Sequence, residues 1–156
     1  ILYTGCTFSF MLKLKLMENP AFPSGSLLVA FLLLVTKMGD IGAYIVGTYI
    51  GKHSLIPRIS PKKSVEGALG GFLFSVGAAL ASRSFLPSIP VNHLLILGCL
   101  LGVLAQVGDL SESLIKRDCQ VKDSADYIPG LGGVLDLVDS ILFTAPTLYF
   151  YVFKFL

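Results

Sequence analysis

The chain has 156 residues, 54% of them hydrophobic and only 14% charged, with a net charge of +2. A soluble domain carries about 25% charged residues, so this chain lacks the polar groups to cover a water-facing surface, and lipid is its natural solvent. The small net charge gives no nucleic-acid footprint, and the clustering of the charges says more than their sum.

The opening stretch, ILYTGCTFSFML, has neither a basic leader nor a small-residue cleavage site and does not read as a signal peptide. It begins with Ile1, which reads as a fragment, the C-terminal part of a longer protein. Residues 1–17 are apolar but interrupted by Lys13 and Lys15, as in the tail of an earlier span or an interfacial helix. Cys6, Cys99 and Cys119 are far apart and odd in number, and read as small apolar residues rather than ligands or a disulfide framework.

A bilayer core about 30 Å thick needs roughly 20 mostly apolar residues in a helix. Spans are therefore expected near residues 26–50, 66–86, 91–107 and 134–153. Between the first two lies GKHSLIPRISPKKS, residues 51–64, with Lys52, Arg58, Lys62 and Lys63. Between the second and third lies only the uncharged PSIP, and between the third and fourth lies 109–133, with Lys116, Arg117 and Lys122. Alternating helices put both basic loops on one side, which the positive-inside rule assigns to the cytoplasm. Lys13 and Lys15 fall on the other side and fit this scheme poorly. Small-xxx-small spacings (Gly47 with Gly51, Gly67 with Gly71, Gly98 with Gly102) suit helices packed closely in lipid. The expected fold is an all-α polytopic membrane helix bundle: about four transmembrane helices plus a partial N-terminal segment, with residues 1–156 as one membrane-embedded domain.

Ionisable residues inside spans are costly and are functional candidates by default. Lys37 and Asp40 stand three residues apart on one face of the first span, and Tyr44 continues it. Such a pair also satisfies itself and can simply fix packing. Asp136 and Asp139 open the fourth span, where the macrodipole favours acids. Asp109, with Glu112 one turn later, closes the third span, where the dipole disfavours an anion and something cationic should compensate it. A divalent metal shared by Asp109 and Asp136 would do so, and Mg²⁺ typically takes one or two carboxylates plus water and substrate phosphates. The turn PGLGG, residues 129–133, leads into a helix N-terminus and can present backbone N–H groups to an anion. Beside Lys116, Arg117, Lys122 and the carboxylates, it reads as a phosphate site with metal.

The run SLIKRDCQVKDSADYIPGLGGVLDLVD, residues 113–139, resembles the signature of the phosphatidate cytidylyltransferase family. Ser113, Lys116, Arg117, Lys122, Asp123, Pro129, Gly132, Gly133, Asp136 and Asp139 fall at matching spacing. The stretch from Gly39 to Gly71 resembles the family's Asp-Ile-Gly-Ala-Tyr and Ile-Ser-Pro-x-Lys-Ser/Thr-x-Glu-Gly regions, and the two matches cover about two-fifths of the chain. Leu131 stands where the family pattern has His, and Leu137 where it has Arg. The missing His argues against a mechanism that needs it as a base.

The resemblance implies transfer of CMP from CTP to phosphatidic acid in a bilayer, giving CDP-diacylglycerol and pyrophosphate, with Mg²⁺ and room for a second cation. It implies Asp109 and Asp136 as metal ligands, with Asp139 and Asp123 as further ligands. Lys116, Arg117 and Lys122 would engage phosphates. Lys62, Lys63, Ser64, Ser113, Gly132 and Gly133 would complete the cradle, with Glu66 orienting a lysine and Asp40 facing the site. The expected setting is a bacterial inner membrane with the site facing the cytoplasm, as a monomer or homodimer. A relative acting on another lipid, or a small transporter lined by the intramembrane charges, are the competing readings; the transporter leaves the basic loop joined to the Gly-Gly turn unexplained.

Overall fold

Lipid offers no water to satisfy backbone N–H and C=O groups, so an apolar chain crossing it forms helices that bond internally. The computed structural model of the chain describes residues 2–17, 24–56, 60–118 and 134–156. Within them lie helices α1 (Leu2–Lys15), α2 (Gly25–Ile50), α3 (Val65–Ala81), α4 (Val91–Asp118) and α5 (Val134–Phe155). Among the described residues, three stretches are long and apolar enough to cross a membrane: Gly25–Ile50, Val65–Ser84 and Val91–Asp118. At 22 residues α5, with Pro146 inside it, has the length of the expected fourth span.

Two expectations about the loops need correction. The helix of the third span does not stop near residue 107, where a loop is expected: α4 runs 28 residues, from Val91 to Asp118. At 1.5 Å per residue it is about 42 Å long, more than a bilayer core about 30 Å thick. Its last turns carry Asp109, Glu112, Ser113, Lys116 and Arg117 as helix, in fixed register. The segment 51–64 is likewise not plain loop. Strands β1 (Ser54–Ile56) and β2 (Ser60–Ser64) pair antiparallel, Ser54 opposite Ser64 and Ile56 opposite Ser60, with an irregularity between.

Helix packing follows the small residues. A side chain on Gly67 would put its Cβ 2.9 Å from the Ala43 carbonyl and 3.0 Å from Gly47 Cα, so α2 and α3 meet almost backbone to backbone. At Gly98 a Cβ would stand 2.8 Å from that of Ala79, which brings α4 onto α3 in the same way. The apolar core fills the other end: Leu28, Phe31, Leu32 and Val35 of α2 meet Leu94, Leu97 and Leu101 of α4 and Ala145, Leu148 and Val152 of α5. Leu86 and Ile89 bury the α3–α4 connection in it, and Arg83 lies in the same connection. The α1 helix joins the bundle through fully buried Leu14 and the edge-on contact of Phe10 with Tyr149, ring centroids 5.4 Å apart. Lys13 Nζ lies 4.8 Å over the Phe10 ring, which gives that cation an aromatic partner at the far end of the bundle.

Candidate functional site

Glycine and alanine faces that bring three helices together also leave space where those helices splay. At the hairpin end, α2, α3, α4 and both strands enclose a cavity of about 570 Å³. Gly39, Ala43 and Gly47 of α2, Gly67 and Ala68 of α3, and Gly102 and Ala105 of α4 form its walls. Asp40, Ser60, Lys63, Ser64, Gln106 and Asp109 bring the polar groups. The result is a mostly apolar chamber with a few convergent polar side chains, the usual form of a small-ligand site.

Asp109 is compensated, as its position demands, by a cation from another element: Lys63 Nζ lies 2.5 Å from Asp109 Oδ2. Because α4 runs on past it, Asp109 is not at the helix terminus, and the dipole is not what isolates it. The compensation comes from β2, which carries Lys63 to the cavity. Both side chains are partly covered, at 28% and 38% exposure, and Lys63 Nζ itself is buried, so the pair is weakly screened.

The hairpin that delivers Lys63 is itself anchored. Ser64 ends β2 and caps α3, its Oγ accepting from Gly67 N–H at 3.1 Å. Glu66, in the first turn of α3, accepts from the backbone N–H groups of Lys52 and His53 at 3.1 and 3.2 Å and meets His53 Nδ1 at 2.6 Å. This corrects the expectation that Glu66 orients a lysine side chain; it holds the strand entry and His53. His53 is thus tied to the hairpin, and His93, at the opposite end, bonds Tyr151 at 2.9 Å.

On α2, Lys37 and Asp40 form the expected pair at 2.9 Å, and Asp40 lines the cavity. On α4, Lys116 pairs with Glu112 at 3.4 Å, and Glu112 is almost wholly buried. Lys116, Arg117 and Ser113 lie on the turns beyond Asp109 and do not line the cavity. Lys122, Asp123, Leu131, Gly132 and Gly133 lie outside the described residues, as do the side chains of Lys62, Asp136, Leu137 and Asp139. The backbone puts positions 136 and 139 in the first two turns of α5.

Among the described residues no group of three His, Cys, Asp or Glu could hold a metal ion. Asp40 and Asp109 nevertheless bring two hard oxygen donors to one cavity, and such donors suit Mg²⁺ with substrate phosphates filling its other positions.

Gln106 went unnoticed in the sequence. Its Nε2 donates to the Ala68 carbonyl at 2.9 Å, tying α4 to α3 beside the cavity. The available signal was a lone amide in an apolar span, three residues before Asp109. Ser60 and Thr48, also lining the cavity, carried no such signal.

The sequence pattern of the cytidylyltransferase family matches residues 1–155. A phosphatidate cytidylyltransferase of Bacillus subtilis is 39% identical over 151 residues, covering 96% of this chain and 54% of the relative. One from Synechocystis is 44% identical over 133 residues, covering 84% of this chain and 45% of the relative. The uncharacterized protein YnbB of Escherichia coli is 37% identical over 139 residues, covering 89% and 47%. The chain thus spans about half the length of the curated relatives it matches.

Proposed function

The chain belongs to the cytidylyltransferase family, and from that premise we propose that it forms the catalytic face of an enzyme transferring CMP from CTP to phosphatidic acid. The products would be CDP-diacylglycerol and pyrophosphate. The observation that carries this reading is the cavity between membrane-length helices, with Lys63 and Asp109 paired inside it. Such a chamber suits a lipid head group approaching from the bilayer and a nucleotide approaching from water. Its relatives' names supply the substrates.

In the reaction, a phosphatidate oxygen attacks the α-phosphorus of CTP. A new P–O bond forms as the bond to pyrophosphate breaks. The attacking group is a phosphate monoester with a second pKa near 6, so it is already largely ionised and needs no protein base. A leucine at position 131 is therefore chemically acceptable. The difficulty is to hold two polyanions together and to stabilise charge on the leaving group, which calls for positioning and fixed positive charge. Lys63 faces the cavity and would exchange its contact with Asp109 for a phosphate. Lys116, Arg117 and Lys122 would add charge at the rim, with Lys62, Ser64 and Ser113 beside them and Gly132 and Gly133 offering backbone N–H groups. Asp109 and Asp136 would hold Mg²⁺, with Asp139 and Asp123 as further ligands or toward a second cation. Bound there, the ion would neutralise and polarise phosphate oxygens.

The same reading sets the cavity on the cytoplasmic side of a bacterial cell membrane, where CTP is found, and includes a homodimer in the bilayer. Membranes holding the full-length protein, given labelled CTP, phosphatidic acid and Mg²⁺, are expected to form labelled CDP-diacylglycerol, and chelation should stop it. No product under those conditions would sink the proposal. Asp136→Asn is expected to abolish turnover without reducing the amount of inserted protein.

A further inference from the structure

Lys37 takes no part in the chemistry above, yet it sits inside an apolar helix. Its Nζ stands 2.9 Å from Asp40 Oδ2 and donates to Ser140 Oγ at 3.3 Å. Ser140 Oγ in turn lies 3.5 Å from Asp40 Oδ2. A Lys–Asp pair one turn apart neutralises itself and needs no third partner. Here a fully buried serine of another helix is set against both members. The triangle joins α2 to α5 at the cavity end, and Asp40 belongs to the cavity wall. At the far end of α5 the tie is His93 with Tyr151.

The location on α5 gives this tie its meaning. Ser140 follows Asp139 directly and lies four residues after Asp136, which places position 136 on the same helical face one turn nearer the helix start. A slip of one residue would turn α5 by about 100° and carry the buried Ser140 away from Lys37 and Asp40, which stay paired on α2. Apolar contacts alone tolerate such a slip far better.

We infer that Lys37 is a positioning residue for the transfer reaction: through Ser140 it fixes the depth and rotation of α5, the helix whose first turns carry positions 136 and 139. The inference rests on the proposed function, and its test separates the two. In full-length protein in lipid nanodiscs, Lys37→Met and Ser140→Ala are each expected to speed hydrogen–deuterium exchange over residues 134–142 and leave α3 unchanged. Each should lower kcat for CDP-diacylglycerol formation by up to about 100-fold, the scale of a small misplacement, with the KM for CTP unchanged. Lys37→Arg, which keeps the cation and its donors, should retain both properties. In Lys37→Met/Asp40→Asn no carboxylate is left unpaired. Because Asp40 belongs to the cavity wall, this variant is read by exchange alone: persistently fast exchange over residues 134–142 supports positioning, whereas full recovery of exchange means that Lys37 only neutralises Asp40 and overturns the inference. Unaltered exchange over 134–142 in Lys37→Met overturns it as well. Wild-type protein inactive with CTP and phosphatidic acid would defeat the transferase reading, and the exchange measurement, which needs no turnover, would still decide whether Lys37 holds α5.

Discussion

Lys63 and Asp109 hold each other at 2.5 Å inside a cavity walled mainly by glycine and alanine, with Asp40, Gln106 and hydroxyl groups as its other polar lining. A nucleotide entering that space meets one cation already committed to a carboxylate, so binding must redistribute the contact. Hydrogen bonds to charged groups are worth about 1.5–3 kcal/mol, and about 1.4 kcal/mol is tenfold in affinity. Lys63→Met is therefore expected to raise the KM for CTP by roughly 10- to 100-fold, and an unchanged KM would remove Lys63 from the nucleotide site. Asp109→Asn removes the charge that holds Lys63 and, on the proposed reading, a ligand of Mg²⁺. Turnover should be lost and nucleotide binding kept, a split that calorimetry with CTP beside the activity assay would reveal.

Among the elements, the α2–α3 contact leaves little room for change. A valine at Gly67 would drive its Cβ toward the Ala43 carbonyl and Gly47 Cα, backbone atoms that cannot rotate aside. Overpacking of this kind costs about 1–3 kcal/mol, and Gly67→Val should lower the thermal midpoint of the detergent-solubilised protein. Gly77 has nothing within 4 Å of its would-be Cβ. Gly77→Ala should leave the midpoint unchanged or raise it, because alanine is favoured over glycine in helices by up to about 1 kcal/mol. If the two variants melt alike, close backbone approach is not what holds α2 to α3. The hairpin depends on Glu66, which gathers two backbone N–H groups and His53. Glu66→Ala should speed amide exchange at Lys52 and His53 by about tenfold or more; exchange as slow as in wild type would mean that the strand pairing suffices.

For the whole molecule the open matter is sidedness. The helices alternate so that the hairpin, the end of α4 and the start of α5 share one end with the cavity, while Lys13, Arg83 and Lys154 belong to the other. In a cysteine-free background, a cysteine at Lys52 should react with an impermeant reagent only from the cytoplasmic side, and one at Ser88 only from outside; the reverse pattern would invert the proposed orientation. Much of this plan was legible in the sequence. Apolar length located α2, α3 and α4, and glycine spacing announced tight packing, because both are local properties of an apolar chain in lipid. The stretches 39–71 and 113–139 pointed to the family, since their order and spacing are written along the chain. Three things depended on tertiary structure. The α4 helix continues through its charged turns because packing and length outweigh the local polarity that suggested a loop. The basic segment after α2 folds into a hairpin because Glu66 and Ser64, at the start of another helix, hold it there. Above all, the sequence alone determined that Asp109 needs a positive partner, but only the fold decided that Lys63 is that partner, because compensation of a charge depends on distance in space and not on separation along the chain.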